Sequence, residues 1–175
     1  VLHDHQSLYE SMLTLKKSGQ KTLLIGVSYA LLDFASVYGF EFPELIIMET
    51  GGMKGKRKEL IREVLHEILN KAFGTPAIHS EYGMTELLSQ AYAQSKGVFR
   101  SVPWMKIMVR DLHDPWQIMP HGRSGLINII DLACIDTCCF ISTEDIGKNN
   151  EDGTFEIFGR NDNSSLRGCN LLIDG

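Results

Sequence analysis

Residues 21–50, KTLLIGVSYALLDFASVYGFEFPELIIMET, decide the fold class of this chain. KTLLIGVS and ELIIMET are short apolar runs typical of buried strands, and YALLDFASVYGF between them predicts a helix that ends at Gly39. A strand, a helix and a strand in this order predict a parallel βαβ unit. Ligands of such units gather at the carboxyl ends of the strands, where Gly51 and Gly52 follow the second run.

Two further helices and a third strand flank this unit. Ser7 and Glu10 have the Ser-x-x-Glu spacing of a capping box, which predicts a helix over residues 8–18. Apolar residues recur at helical spacing over residues 57–72, which predicts the clearest helix of the chain, with His66 on its surface. A third apolar run follows, so the first half repeats the order of parallel α/β proteins.

The second half has a different pattern. Short alternating runs, among them SVPWMKIMVRDL, GLINIIDLA and TFEIFGR, are separated by turn residues and predict antiparallel β structure, with a hairpin at residues 151–154. The predicted fold class is therefore α/β, with parallel βαβ units followed by an antiparallel, barrel-like β-rich subdomain. We expect an α/β subdomain over residues 1–96 and a β-rich subdomain with a C-terminal tail over residues 97–175.

Composition and charge argue against several classes of partner. The 175 residues are 43% hydrophobic, enough for an ordinary core, and their net charge is −5. The one basic cluster, at residues 54–58, is most simply a solvated turn, so we expect neither nucleic acid nor a membrane surface as partner. No run approaches the roughly 18 apolar residues that span a bilayer, and no leader opens the chain, which predicts a cytoplasmic protein. Because Val1 replaces an initiator Met, we expect a fragment or the ordered part of something longer.

The cysteines do not form a disulfide framework or a metal motif. Cys134, Cys138 and Cys139 lie in a strand-like run, and Cys169 lies near the C-terminus. This spacing predicts reduced thiols. It argues against zinc because no CxxC pair exists and no histidine is placed near the cysteines.

Two glycine-containing turns at predicted strand ends are candidates for a nucleotide site. TGGMKGKR, residues 50–57, is not a phosphate loop, since three residues rather than four separate Gly51 from Gly55. YGMTE, residues 82–86, offers a ring that can stack on a base, a hydroxyl for a phosphate and a carboxylate for Mg²⁺. Alone, this pentapeptide is equally a connection from a strand to a capped helix formed by the residues after it.

Two later motifs favour the nucleotide. FISTEDIG ends a strand with Asp145, which can accept hydrogen bonds from two ribose hydroxyls, and FEIFGRND places Arg160 and Asp162 after the next strand. Gly-Gly, Tyr-Gly-x-Thr-Glu, Ser-Thr-x-Asp and Gly-Arg-x-Asp, in this order over residues 45–170, resemble the adenylate-forming superfamily of acyl-CoA synthetases, peptide-synthetase adenylation domains and luciferases. The resemblance implies ATP or AMP and Mg²⁺ as cofactors and a carboxylic acid as substrate.

The resemblance also implies the roles of individual residues. Positions that would contact the nucleotide are Gly51, Gly52, Tyr82, Gly83, Thr85, Asp145 and Arg160. Gly51 and Gly52 would line the adenine slot, and Tyr82 would stack on the ring. Asp145 and Arg160 would hold the ribose. Thr85 would contact the α-phosphate and Glu86 would bind Mg²⁺, so both are predicted to be catalytic. Asp162 matches the hinge between the large and small domains of the superfamily.

The chain departs from the superfamily pattern in three places. Glu144 replaces the glycine that commonly precedes the ribose-binding Asp145. The Ser/Thr/Gly-rich loop that binds the β- and γ-phosphates would lie before Val1, so we expect the chain alone to be unable to adenylate. Only thirteen residues follow Asp162, where most members carry a small domain with a lysine.

Within the superfamily, the chain most resembles the acyl-protein synthetases of bacterial luminescence and their relatives. That family implies fatty-acid activation, an acyl reductase as acyl-accepting partner and acyl transfer through a cysteine near the C-terminus. Cys169 is the matching candidate; Arg167 can favour its thiolate, although Cys169 can also be a small packed apolar residue. The alternatives are an acyl-CoA or aryl-CoA ligase of the phenylacetate-CoA ligase kind and a non-catalytic binding module that kept the fold.

Overall fold

The computed structural model describes residues 4–51 and 60–161. They form two compact units: the first runs as far as Ser80 and takes in Gln94–Lys96, and the second consists of Glu81–Ala93 and the residues from Gly97 onward. The division into an α/β subdomain and a β-rich subdomain between residues 96 and 97 stays a prediction. Within the described ranges, no helix is long and apolar enough to cross a membrane.

The first unit is a parallel α/β structure. In chain order its elements are α1 (His5–Ser18), β1 (Leu23–Val27), α2 (Ser28–Tyr38), β2 (Ile46–Thr50), α3 (Arg62–Phe73) and the start of β3 (Ile78–Tyr82). The strand order is β1-β2-β3, and β1 pairs parallel to β2 with Leu24 opposite Ile47. The predicted βαβ unit is confirmed.

The core of the first unit lies on one face of its strands. Leu24, Ile47 and Ile78 are buried there against apolar residues of the helices, among them Leu31, Leu32, Phe34, Leu65, Leu69 and Phe73. Each such side chain contributes about 1.5–3 kcal/mol when it is fully removed from water. This packing supports the pairing of β1 with β2, whose carboxyl ends lie side by side with Val27 opposite Thr50, just before Gly51.

Three details of the first unit differ from the predictions. α3 begins at Arg62, so Leu60 and Ile61 lie before the helix that was predicted to include them. Asp4, not Ser7, caps α1: its carboxylate accepts a hydrogen bond from the Ser7 backbone N–H at 2.9 Å, so the helix begins at His5. His66 is buried rather than on the surface, because it faces a buried carboxylate of β2. Helical spacing alone placed this residue among the charged positions of its helix.

The second unit is antiparallel. After the end of β3 it contains β4 (Ala91–Ala93), β5 (Val98–Arg100), β6 (Met105–Arg110), β7 (Ser124–Asp131), a 3-10 turn (Leu132–Cys134), β8 (Phe140–Asn149) and β9 (Phe155–Arg160). The strands pair antiparallel in the order β4-β5-β9-β8-β7-β6. Alternate residues such as Val109, Ile127 and Ile129 form its core. The fold class predicted from the sequence is confirmed.

The turn between β8 and β9 is the predicted hairpin. Asn150 N–H donates to the Thr154 carbonyl at 2.8 Å, and Gly153 N–H donates to the Asn150 carbonyl at 3.2 Å. Gly153 has a φ of +78°, which glycine adopts at little cost. The hairpin aligns the two strands that carry the Ser-Thr-x-Asp and Gly-Arg motifs.

The helix expected after residues 82–86 does not form. Leu87 N–H donates to the Met84 carbonyl at 3.1 Å, which closes a turn, and the chain then enters β4. In β4 Ala91 and Ala93 are buried and Tyr92 between them is exposed, which is the two-residue period of a strand. Pairing with β5 therefore overrides the helical propensity of this segment.

Candidate functional site

Asp145 lies at the centre of a group of polar side chains in the second unit. In the β8–β9 ladder it lies directly opposite Arg160, whose Nε is 3.6 Å from Asp145 Oδ1. The same guanidinium reaches Glu144, with Nη2 3.5 Å from Glu144 Oε2. Arg160 is about half exposed and Asp145 is nearly buried, with side-chain exposures of 52% and 15%. The carboxylate is therefore held by the protein while the cation remains open to solvent.

The local backbone explains why adjacent carboxylates reach one arginine. The β8–β9 register shifts between Ile146 and Gly147, and such a bulge redirects the side chains beside it. Gly147 has no room for a side chain, because a Cβ there would overlap the Glu156 carbonyl oxygen. Gly159 has a φ of +141°, which L side chains rarely adopt, so the Gly-Arg motif needs its glycine.

Tyr82 completes the group from the end of β3. Its hydroxyl donates to Asp145 Oδ2 at 2.7 Å, and its ring packs against Phe99 and Phe155 with centroid distances of 6.0 and 5.8 Å. Burial, and then the Asp145 charge, raise the pKa of Tyr82 well above its ordinary value. The phenol therefore stays protonated and remains a hydrogen-bond donor throughout the physiological range.

Thr143 supports Asp145 from the backbone side. Its hydroxyl accepts a hydrogen bond from Asp145 N–H at 3.1 Å and donates to the Ile127 carbonyl at 2.8 Å. A carboxylate has about four acceptor positions, so one hydrogen bond from Tyr82 leaves capacity for hydroxyl groups of a ligand. Three predicted site residues, Tyr82, Asp145 and Arg160, are thus brought together as a preorganised acceptor beside a cation.

Thr85 and Glu86 lie on the exposed turn after β3. Within the described ranges, the Glu86 carboxylate forms no ion pair, and no group of three or more His, Cys, Asp and Glu side chains is placed to hold a metal. Mg²⁺ commonly uses one or two carboxylates together with water and substrate phosphates. A single exposed carboxylate fits that donor set, with the remaining ligands supplied by phosphate oxygens and water.

Cys134 contacts the backbone of the turn that contains Glu86. The Cys134 thiol donates to the Glu86 carbonyl at 3.7 Å and accepts from Leu88 N–H at 3.3 Å. Cys134 is buried, and Cys138 and Cys139 are also free thiols. The thiol at residue 134 therefore has a packing role, as a weak donor and acceptor beneath the turn.

Asp131, at the end of β7, was not found by sequence reasoning. It is fully buried and accepts hydrogen bonds from Ser89 N–H at 2.9 Å, from the Ser89 hydroxyl at 2.8 Å and from Ala133 N–H at 3.1 Å. Burial raises the pKa of Asp131, but the hydrogen bonds from Ser89, Ala133 and Cys134 outweigh it and leave the pKa below its ordinary value. An acidic residue closing the apolar run GLINIID was the available signal. Asp131 anchors the chain just after Glu86.

The remaining predicted residues are not all in the described ranges. Gly51 directly follows β2 in the first unit and has a φ of +69°. Gly83 is exposed, and a Cβ there would meet Gln90 Cγ at 3.0 Å. Gly52, Asp162 and Cys169 lie outside the described residues.

Comparison with known proteins gives one curated relative. The chain is 28% identical, over an alignment 188 positions long, to the long-chain-fatty-acid–luciferin-component ligase of Vibrio harveyi. The match covers 97% of this chain and 49% of that protein, so the chain spans about half the length of its curated relative. No protein-family model matches the chain.

Solved structures share the fold at low sequence identity. ATP-bound MatB from Rhodopseudomonas palustris superposes with a TM-score of 0.59 at 18% identity, covering 87% of this chain and 33% of that one. Unliganded O-succinylbenzoate coenzyme A synthetase from Bacillus subtilis gives 0.58 at 16%, covering 87% and 36%. The luciferase-like enzyme of Zophobas morio gives 0.60 at 14%, covering 86% and 41%. At these identities the likeness shows the fold alone.

The resemblance predicted from the ordered motifs is thereby confirmed: over nearly its whole length the chain is similar to a long-chain-fatty-acid–luciferin-component ligase, and its fold is that of adenylate-forming ligases.

Proposed function

We propose that this chain is part of a ligase that activates a carboxylic acid, specifically a fatty acid, with ATP and then transfers the acyl group to a protein thiol. The observation that supports this most is the contact of Asp145 with both Tyr82 and Arg160. The relative's name, a long-chain-fatty-acid ligase, supports the choice of acid. An acyl reductase is the kind of protein that would accept the acyl group.

The side chains of the second unit suit the nucleotide in different ways. Asp145 would accept hydrogen bonds from the ribose hydroxyls, since its contacts with the Tyr82 hydroxyl and, through its N–H, with the Thr143 hydroxyl already orient it. Arg160, half exposed, would lie beside the ribose and compensate the carboxylate charge. The ring of Tyr82 would lie against the adenine. This division of roles needs little rearrangement when the nucleotide binds.

The remaining contacts would come from the two turns. Gly51 and Gly52 would line the adenine, because a backbone without side chains lets a flat ring approach closely. Thr85 would donate its hydroxyl to the α-phosphate and Glu86 would hold Mg²⁺. The metal, when bound, would neutralise phosphate charge.

The proposed chemistry turns a poor acyl donor into a good one. A carboxylate oxygen of the acid attacks the α-phosphorus of ATP and forms a new O–P bond. The bond between the α-phosphorus and the oxygen that bridges it to the β-phosphorus breaks, and pyrophosphate leaves with that oxygen. A thiolate then attacks the acyl carbon and AMP leaves with the electron pair of the acyl–oxygen bond. Positioning and charge neutralisation account for most of the rate enhancement in such a reaction.

Nucleotide affinity tests the proposal. In the complete protein, Asp145→Ala is expected to weaken AMP binding by about 10- to 100-fold, because hydrogen bonds to a charged group contribute roughly 1.5–3 kcal/mol. Isothermal titration with AMP and acid-dependent exchange of pyrophosphate into ATP measure the effect. The chain alone, whose 175 residues contain no Ser/Thr/Gly-rich phosphate loop, is expected to give no exchange.

Glu144→Ala is the matched control. Glu144 is adjacent to Asp145 and contacts the same guanidinium, but its side chain is 57% exposed. We expect less than about a 3-fold change in AMP affinity, as for an exposed ion pair. Equal effects of the two variants would contradict the role of Asp145. A complete protein with neither AMP binding nor acid-dependent exchange would be the non-catalytic binding module.

The acyl acceptor is tested at Cys169. Cys169→Ser in the complete protein is expected to keep pyrophosphate exchange and to abolish labelling of the protein by radioactive fatty acid, since a serine hydroxyl is a far weaker nucleophile than a thiolate. Autoradiography of the denatured protein before and after hydroxylamine treatment detects the thioester. Cys138→Ser, at an exposed free thiol, is the control and should retain the label. If Cys169→Ser left thioester formation unchanged and neither the wild type nor the variant carried the label, the result would instead favour coenzyme A as acceptor.

A further inference from the structure

A buried polar cluster lies beside Gly51 in the first unit. Its centre is Glu49 of β2, which is 4% exposed. The Ser28 hydroxyl donates to Glu49 Oε2 at 3.0 Å, Arg62 Nε is 3.5 Å from Oε1, and His66 Nε2 is 3.8 Å from Oε1. Ser80 Oγ of β3 lies 3.4 Å from the same imidazole nitrogen. We call these five residues the Glu49 cluster.

The Glu49 cluster is a costly arrangement for a core. Taking a carboxylate out of water costs several kcal/mol unless partners compensate. Burial raises the pKa of Glu49, but His66, Ser80, Arg62 and Ser28 outweigh it, so the pKa lies below its ordinary value. The carboxylate is thus kept ionised inside a parallel sheet, where apolar residues are the norm. Departures of this kind from core packing are expected at functional positions.

Ser28 links the Glu49 cluster to the turn. Its hydroxyl also donates to the Gly51 carbonyl, with Oγ 2.5 Å from the oxygen. A serine hydroxyl has one proton, so Glu49 Oε2 and the Gly51 carbonyl share it. Gly51 has a φ of +69°, a conformation that glycine adopts at little cost. Glu49 therefore holds Ser28, and Ser28 holds the backbone with which the glycine turn begins.

We infer that Ser28 and Glu49 are positioning residues for a purine nucleotide: they set nucleotide affinity by holding the Gly51 backbone in the conformation that the base contacts. The inference rests on the proposed function, in which Gly51 lines the adenine. Neither side chain needs to contact the nucleotide. Their effect is therefore confined to binding, and the chemical step is left unchanged.

The experiment compares two buried serines of the Glu49 cluster in the complete protein. Ser28→Ala removes the contact with Gly51, and we expect the KM for ATP to rise about 10-fold, the value of one hydrogen bond, with kcat and the KM for the acid within about 2-fold. Ser80→Ala removes a hydroxyl that faces His66 and Glu49, whereas the contact of the cluster with Gly51 is made by Ser28. It should lower thermal stability by a similar amount and leave the KM for ATP unchanged.

Two further variants keep the test decisive if Ser28→Ala unfolds. Ser28→Thr retains the hydroxyl and is expected to restore most of the affinity for ATP. Glu49→Gln retains the shape but loses the charge that orients Ser28, so its KM for ATP should rise with kcat preserved.

The outcomes separate the inference from the proposed function. A wild-type protein that binds ATP, with equal KM values for Ser28→Ala and Ser80→Ala, would overturn the inference alone. A fall in kcat in place of the KM effect would also overturn it. Absence of nucleotide binding in the wild type would overturn the proposed function and the inference with it.

Discussion

Replacing Asp131 with alanine is expected to lower the free energy of unfolding by about 3 kcal/mol, because it leaves several buried donors without an acceptor at roughly 1–3 kcal/mol each. Those donors are the Ser89 N–H and hydroxyl and the Ala133 N–H. The Ser89 hydroxyl also accepts from the Trp104 indole at 2.9 Å, so the loss extends to the loop before β6. Urea unfolding followed by circular dichroism of the chain and the variant measures the difference.

Asp136→Ala is the control for this prediction. Asp136 lies five residues further along, is exposed and has the same charge. Its replacement should change the free energy of unfolding by less than about 0.5 kcal/mol, as is usual for surface positions. A similar small effect at residue 131 would mean that water replaces the carboxylate and that Asp131 is not the anchor of the turn.

The effect of Asp131 should depend on pH with a definite sign. Because its pKa in the folded chain is below the ordinary value of 3.8, its contribution is complete above that value and is lost as the pH falls through the folded pKa. The gap in stability between the wild type and Asp131→Ala should therefore be constant near neutral pH and narrow below about pH 4. A gap that widened on acidification would contradict the depressed pKa.

Glu86→Gln in the complete protein is expected to lower kcat for acid-dependent pyrophosphate exchange by about 1000-fold, in the range seen when one transition-state contact to developing charge is removed. The amide keeps the size of the side chain but loses the negative charge that Mg²⁺ prefers. Because Cys134 and Asp131 hold the backbone of this turn, the substitution should not change its conformation. Exchange assays over a range of Mg²⁺ concentrations measure kcat and the apparent metal affinity together.

Glu151→Gln serves as the control, since Glu151 is an exposed carboxylate in the β8–β9 turn. Its exchange rate and Mg²⁺ dependence should equal those of the wild type. If Glu86→Gln retained the wild-type Mg²⁺ dependence, Glu86 would not be a metal ligand, whatever happened to kcat. Thermal denaturation of both variants excludes unfolding as the cause.

Local patterns in the sequence were sufficient for most elements. The period of apolar residues predicted β1, α2 and β2, since these elements bury one face or both. The turn at residues 151–154 depends only on its own dihedral preferences and was predicted as well. The order of four short motifs was sufficient for the resemblance to the ligases, although each motif is weak alone.

Predictions failed where distant parts of the chain compete with local preference. The segment after Glu86 has helical propensity, but pairing with β5 and the hydrogen bonds from Ser89 to Asp131, 42 residues away, make it a turn and a strand. His66 occupies a position that looks exposed by helical period, but its helix packs over the carboxylate of Glu49. Neither partner is within the window that a periodic pattern samples.

The sequence by itself therefore determined the elements, the fold class and the family resemblance, because these follow from local periods and motif order. Only the tertiary structure decided which polar groups meet: Tyr82 and Asp145 are 63 residues apart in the chain and 2.7 Å apart in space. The same holds for Ser28 and Gly51, which are 23 residues apart. Such pairs depend on strand order, register and a bulge, and these arise from packing and pairing across the whole chain rather than from any one segment.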